Sequence, residues 1–126
     1  MKDKGLIYNK CITFSLRVIK LNQYLQNNCP YNIANQIQRS GTSIGANYSE
    51  SLGAESDQDF IHKLSISQKE IFETQYWLDI LFKGEFLDSK LYHSFMPTPR
   101  NYTNSFPLPF SPPATKPPTT LIIHKS

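Results

Sequence analysis

Apolar residues recur at helical spacing near the start of the chain. The first stripe steps by four, three and four residues through Phe14, Val18, Leu21 and Leu25. Such spacing places one side of an α-helix in the core, and it predicts a helix over residues 11–28. The Cys29-Pro30 pair ends that helix, because a residue before proline is pushed out of helical backbone geometry. Three further apolar residues are expected to widen its buried side: Ile12, Leu16 and Ile19.

The longest helical pattern predicts a helix over residues 57–83. Its inward positions step by three and four through Phe60, Leu64, Ser67, Ile71, Thr74, Leu78 and Leu81. Four more residues are expected to widen the same side: Ile61, Gln68, Phe72 and Trp77. Ser56 is suited to cap the first turn and Gly84 to end the last one.

Between these helices lies the stretch RSGTSIGANYSE, residues 39–50, which is rich in small residues. A phosphate-binding loop would need a preceding strand and a lysine after its second glycine, and neither is present. A flexible loop is disfavoured because apolar and small residues keep helical spacing through Ile33, Ile37, Gly41, Ile44, Tyr48 and Leu52. The pattern therefore predicts a helix over residues 31–53. Its glycines and small polar residues cost about 4 kcal/mol relative to alanine, so close packing of another helix on Gly41, Gly45 and Ala46 is expected.

A shorter fourth helix is predicted over residues 87–95, and no strand pattern interrupts residues 1–95. The fold class is therefore all-α, an antiparallel up-and-down four-helix bundle with an interrupted fourth helix. Pro97 and seven later prolines define a separate segment, residues 96–126. One interpretation of this segment is a frameshift near Phe95, since an alternative reading frame would encode an amphipathic helix pattern. The other is a natural, disordered proline-rich tail or a ligand for a proline-recognising module. A truncated fourth helix would leave core sides of the first and third helices open and reduce solubility.

Charge is distributed unevenly along this domain. Residues 1–95 hold ten basic and ten acidic residues, but residues 1–39 sum to +5 and residues 40–95 to −5. This separation favours salt bridges between helices or subunits at least as much as nucleic-acid binding. The candidate nucleic-acid contacts are Arg17, Lys20 and Arg39.

Polar residues of the second and third helices form the candidate interface. On the second helix one line contains Arg39, Ser43, Asn47 and Glu50. The corresponding set on the third helix contains Asp59, Lys63, Lys69, Glu70, Glu73, Tyr76 and Trp77. A structural or assembly role is favoured over ligand binding, with salt bridges from the acidic residues to Arg39 and to the basic first helix.

The sequence indicates neither an enzyme nor a metal or cofactor site. Glu70 and Glu73 lie one helical turn apart, but a di-metal bundle needs Glu-x-x-His units, and His62 has no glutamate three residues before it. Cys11 and Cys29 lack the spacing of a zinc site and are expected to be reduced thiols. Because no signal peptide or membrane span is evident, a cytoplasmic location is expected.

RSGTSIGANYSE and DFIHKLSISQKEIFETQYWLDIL, residues 59–81, together resemble the four helix bundle protein family, also called 23S rRNA-intervening sequence proteins. The resemblance covers roughly residues 12–92. It implies a bacterial homopentamer without known catalytic activity, similar to the accessory proteins of diversity-generating retroelements, whose basic barrel binds a reverse transcriptase and nucleic acid. RNA or an RNA-associated enzyme is then the expected partner, and the rival hypothesis is a protein-only assembly module. The neutral charge of residues 1–95 weakens the nucleic-acid expectation.

Overall fold

The computed structural model describes residues 4–27 and 29–96, which form four helices and no strand. Their bounds are Leu6–Leu25 for α1, Tyr31–Leu52 for α2, Asp57–Lys83 for α3 and Ser89–Phe95 for α4. Helix α2 packs against both α1 and α3, and α4 packs mainly against α3. The predicted all-α bundle is confirmed. The predictions for residues 97–126 lie outside the described residues.

The helix ends show how local sequence sets each boundary. Helix α3 has the predicted bounds, and its cap is formed by Ser56 Oγ, which accepts from the Asp59 amide at 3.1 Å. Helix α4 begins at Ser89 rather than at 87, because the Asp88 carboxylate accepts from the Leu91 amide at 2.8 Å. Helix α1 begins at Leu6, five residues before the predicted start, because the inward spacing extends back through Cys11 to Ile7. It ends at Leu25, three residues before the predicted end.

The turn after α3 uses its glycine for space. Gly84 has a φ of −82°, and the positive φ of 66° belongs to the next residue, Glu85. A Cβ on Gly84 would lie 2.9 Å from Cε2 of Phe86. The close approach of this ring, more than backbone conformation, therefore favours glycine at the end of α3.

The core follows the two long stripes predicted from spacing. On α1 the buried side chains include Phe14, Val18, Leu21 and Leu25. On α3 they are Leu64, Ser67, Ile71, Thr74, Leu78 and Leu81.

The predicted widening of the stripes was wrong for five of its seven residues, whereas Gln68 and Trp77 are half-buried and Trp77 packs against the core. Ile12, Leu16 and Ile19 are 45%, 55% and 36% exposed. On α3, Ile61 and Phe72 are 43% and 51% exposed. Each lies about 100° or more around its helix from the centre of the buried stripe, beyond the reach of the neighbouring helix. The buried stripes are thus narrower than the apolar ones.

No helix in the described part of the chain combines the length and the apolar character that a membrane crossing requires.

Candidate interaction surfaces

Two glycines of α2 lie directly against α1. A Cβ on Gly45 would be 2.8 Å from Cβ of Cys11, and one on Gly41 would be 3.0 Å from Cγ1 of Val18. Any larger side chain at Gly45 would push the two helices apart. The sequence also predicted Ala46 in this contact, and that prediction was wrong. Ala46 is exposed, because it lies about 100° around α2 from Gly45.

Arg39 is the centre of the polar contact between α2 and α3. Its guanidinium pairs with Glu70 at 3.5 Å and with Glu73. Glu73 also accepts a hydrogen bond from Trp77 Nε1 at 2.9 Å. The hydrogen bond from Arg39, followed by that from Trp77, lowers the pKa of Glu73, and the same pair raises the pKa of Arg39. The expected salt bridge to Arg39 is therefore present.

The other members of the α2 line have partners within the chain. Ser43 Oγ donates to the Arg39 carbonyl at 2.7 Å, and Asn47 Nδ2 donates to the Ser43 carbonyl at 2.9 Å. These bonds offset part of the helix cost of small polar residues. Glu50 pairs with Lys63 of α3 at 2.7 Å. The line therefore borders the α2–α3 contact.

Buried hydroxyl groups also join α2 to α3. Ser67 Oγ donates to the Ile44 carbonyl at 2.7 Å, and Thr74 Oγ1 lies 2.9 Å from Ser40 Oγ. Because both serines and Thr74 are buried, the two bonds satisfy groups that would otherwise be costly to desolvate. Sequence spacing marked Ser67 and Thr74 as inward positions but gave no sign of these partners.

The remaining candidate residues of α3 are Asp59, Lys69 and Tyr76, and they do not form one site because they lie at different positions along the helix. Asp59 accepts a hydrogen bond from the Glu55 amide at 3.2 Å and thereby supports the N-terminal cap. Lys69 is exposed. Tyr76 is 59% exposed and meets the Trp77 ring edge to face at a centroid distance of 5.3 Å.

Two of the three candidate nucleic-acid contacts are engaged within the chain. Arg39 is held by the carboxylates of α3, as described above. Arg17 donates to the Ser94 carbonyl at 3.2 Å and to Ser94 Oγ at 2.5 Å, and its guanidinium lies 4.2 Å from the centroid of Phe95. Lys20 is exposed. No local pattern in the sequence indicates the Arg17 contact, which spans 77 positions.

The expected salt bridges to α1 are absent from residues 4–27 and 29–96, where every ion pair joins α2 to α3. Helix α1 contains Lys10, Arg17 and Lys20 and no acidic residue. Its three positive charges therefore have no carboxylate partner among the described side chains.

Two exposed apolar faces remain on the outside of this bundle. We define the α1 face as Ile12, Leu16 and Ile19, and the α3 face as Phe72 and Tyr76. The α1 face points roughly 100° to 160° around the helix from Arg17, which contacts α4. The shortness of α4 therefore does not explain the exposure of the α1 face.

No cluster of three histidine, cysteine, aspartate or glutamate side chains that could hold a metal ion occurs within the part of the chain that the structure describes. Burial raises the pKa of the Cys11 thiol to about 11 and also raises that of Cys29. Both thiols are accordingly weaker nucleophiles at neutral pH than an ordinary cysteine.

We predict that the Arg39 cluster makes stability depend on acid pH through Glu73. Because the folded-state pKa of Glu73 lies below the ordinary value of 4.5, its contribution is full above that value and is lost as pH falls through the lowered pKa. The group is partly exposed, so we expect a contribution below about 1 kcal/mol. The free energy of unfolding, measured with urea at about pH 6 and at about pH 3, should fall less between these two pH values in Glu73→Gln than in the unmodified protein. The control Glu85→Gln, at an exposed position outside the cluster, should retain the full loss, and equal losses in all three proteins would contradict the prediction.

Comparisons with known proteins add to this geometry. The sequence model of the 23S rRNA-intervening sequence protein family matches residues 4–102 of this chain. Among solved structures, a protein of unknown function from the S23 ribosomal protein family of Bacteroides thetaiotaomicron VPI-5482 is similar, with 33% identity and a TM-score of 0.72. That match covers 96% of this chain and 100% of the other. No curated protein matches the sequence.

Proposed function

This chain belongs to the 23S rRNA-intervening sequence protein family, and from that premise we propose that it is a non-enzymatic helical bundle that assembles with copies of itself. The function of the similar solved protein is unknown, so this proposal depends on the surface of the present chain. The assembly we propose is a homopentamer, the state that the resemblance in sequence implies.

The two exposed apolar faces are the observation that carries this proposal. Each face contains side chains between about one third and three fifths exposed, arranged one helical turn apart. Single exposed apolar residues are common on monomers, but rows of large ones are typical of surfaces that another protein covers. Aromatic residues such as Phe72 and Tyr76 are also enriched where subunits meet.

The same proposal assigns the protein no catalytic step. Glu70 and Glu73 are the carboxylates best placed for acid–base chemistry, and both are paired with Arg39. The lowered pKa of Glu73 makes its carboxylate a poor proton donor or acceptor at neutral pH.

A second candidate function, RNA binding or contact with an RNA-associated enzyme such as a reverse transcriptase, is favoured by α1. This helix has only positive charges, and Lys20 is exposed beside the α1 face. Phosphate groups would neutralise such a surface. The engagement of Arg17 and Arg39 within the chain reduces the number of cations available, which favours the protein-only alternative.

Light scattering over a dilution series tests the assembly. We expect a mass that is a multiple of the 14.5 kDa chain and that falls towards one chain on dilution. A monomer at every concentration would contradict the proposal. A parallel titration with RNA at about 50 and 200 mM salt separates the two partner hypotheses, because phosphate contacts must weaken steeply with salt, whereas protein-only assembly requires no RNA.

A further inference from the structure

We propose that the α1 face of one copy packs against the α3 face of the next copy, so that the two subunits use different surfaces at their contact. This inference rests on the proposed self-association and names the surfaces that carry it. The occupant of each face is a second copy of this chain.

Charge is the first argument for pairing α1 with α3. Helix α1 has three basic residues and no acidic one, a net charge of +3. Helix α3 has five acidic residues, Asp57, Asp59, Glu70, Glu73 and Asp79, against three lysines, a net charge of −2. Counting the α2 residues that pair with α3 leaves this sum unchanged, because Arg39 adds one positive charge and Glu50 adds one negative charge. The ion pairs within the described chain leave the charge of α1 unneutralised. The acidic α3 of a neighbouring copy can supply the missing complement.

Self-pairing of either face is disfavoured by the same charges. An α1 face against another α1 face would bring together two helices of net charge +3, and two α3 faces would bring together helices of net charge −2. Like charges across an interface oppose association. Only the mixed pairing places opposite net charges together.

The side chains of the two faces are complementary in kind. The α1 face is aliphatic and borders Lys20, one turn beyond Leu16. The α3 face is aromatic. Asp79 lies one turn beyond Tyr76, where the Asp79 carboxylate accepts from Tyr92 at 2.5 Å, and the exposed Lys69 lies one turn before Phe72. Branched aliphatic side chains against aromatic rings bury apolar area on both partners, and lysine and aspartate lie at the polar rim.

A contact between two different faces leaves one copy with an unused α3 face and the other copy with an unused α1 face. Successive copies therefore add in the same direction until the series closes into a ring or continues as a filament. A pair of copies that used one self-complementary face would stop at a dimer. Two variants that each carry a substitution in a different face should therefore still bind one another through their intact faces.

The test mixes two variants that each lose one face. Leu16→Glu places a carboxylate in the α1 face, and Tyr76→Glu places one in the α3 face. Each variant alone should associate about tenfold or more weakly, the effect typical of truncating an interface anchor. Mixed in equal amounts, they should form a 1:1 dimer, because Leu16→Glu retains its α3 face and Tyr76→Glu retains its α1 face.

The matched control is Leu6→Glu, the same chemical change at a 69% exposed leucine on α1 outside both faces. It should assemble like the unmodified protein, and circular dichroism should show the same helical content for all variants. If the unmodified protein assembles but the mixture yields no 1:1 dimer, the pairing is overturned and self-association stands. If the unmodified protein is always a monomer, the proposed function fails and the pairing fails with it. Assembly that occurs only with added RNA would also overturn the pairing.

Discussion

Replacing Gly45 with leucine is expected to lower the free energy of unfolding by about 2 to 3 kcal/mol. The first added carbon alone would lie 2.8 Å from Cβ of Cys11, and Cβ is fixed to the α1 backbone. Neither partner can rotate away, so the helices must separate and lose contacts over the α1–α2 seam. The gain in helix propensity on replacing glycine, at most about 1 kcal/mol, offsets only part of this cost.

Thermal unfolding followed by circular dichroism at equal protomer concentration checks this expectation. The midpoint should fall by about 10 to 20 °C for a domain of this size. Ala46→Leu is the matched control, since it adds similar bulk one position away on the exposed side of α2, and it should change the midpoint little. Equal midpoints for the two variants would show that α1 does not approach α2 at Gly45.

Local pattern was sufficient to predict α3, including both of its ends. Its seven inward positions repeat without interruption from Phe60 to Leu81, and Ser56 supplies an unambiguous cap. The helical character of residues 39–50 was also predictable, because apolar spacing outweighs the low helix propensity of glycine and serine. Spacing alone, however, assigned Ala46 to the packed side of α2. The spacing of small residues is compatible with all three of Gly41, Gly45 and Ala46 in the contact. Only the position of α1 shows that the two glycines contact it and that Ala46 does not.

The outward faces could not be predicted for a related reason. Periodicity identifies which residues are apolar, but the number of them that become buried depends on how much of each helix its neighbours cover. Ile12, Leu16 and Ile19 are apolar yet exposed, because α2 covers α1 on one side only. The sequence predicted these three residues in the core of the bundle, whereas the structure leaves them exposed and we propose that they contact another copy.

Charge patterning gave a partly correct result. The acidic residues of α3 do pair with Arg39, which faces them from α2. The basic residues of α1 were expected to take part as well, but α1 packs against α2 and has little direct contact with α3. Net charge along a sequence indicates complementarity without specifying whether the partner lies in the same chain or in another one.

Four carboxamides show a further contact for which the sequence offered no signal. Asn22 is buried and donates to Asn35 at 3.2 Å and to Gln38 at 2.7 Å, and it accepts from Gln26. This network fixes the register of α1 against α2 through groups that are individually common on exposed helix surfaces. Only the three-dimensional arrangement distinguishes these residues from solvated ones.

Replacing Phe95 with alanine is expected to destabilise the domain by about 3 kcal/mol, the lower end of the range for a buried phenylalanine. The ring is 6% exposed, meets Phe14 edge to face at a centroid distance of 6.4 Å and lies under the Arg17 guanidinium. Helix α4 has seven residues, too few to persist without tertiary contacts. Loss of the ring should therefore release α4 from α1 as well as create a cavity.

Urea unfolding gives the stability change, and amide hydrogen exchange of residues 89–95 reports the release of α4. The control Phe72→Ala removes the same ring from a 51% exposed position, and under conditions where both variants are monomeric it should cost less than about 1 kcal/mol. An undiminished stability in Phe95→Ala would mean that α4 contributes nothing to the core. The expected loss would instead show that Phe95, the residue near which the frameshift interpretation places the change of frame, contributes to the core of the bundle. A frameshift would then have to lie after Phe95, and the nucleotide sequence of the gene tests it, because an alternative frame interrupted by early stop codons would contradict that interpretation.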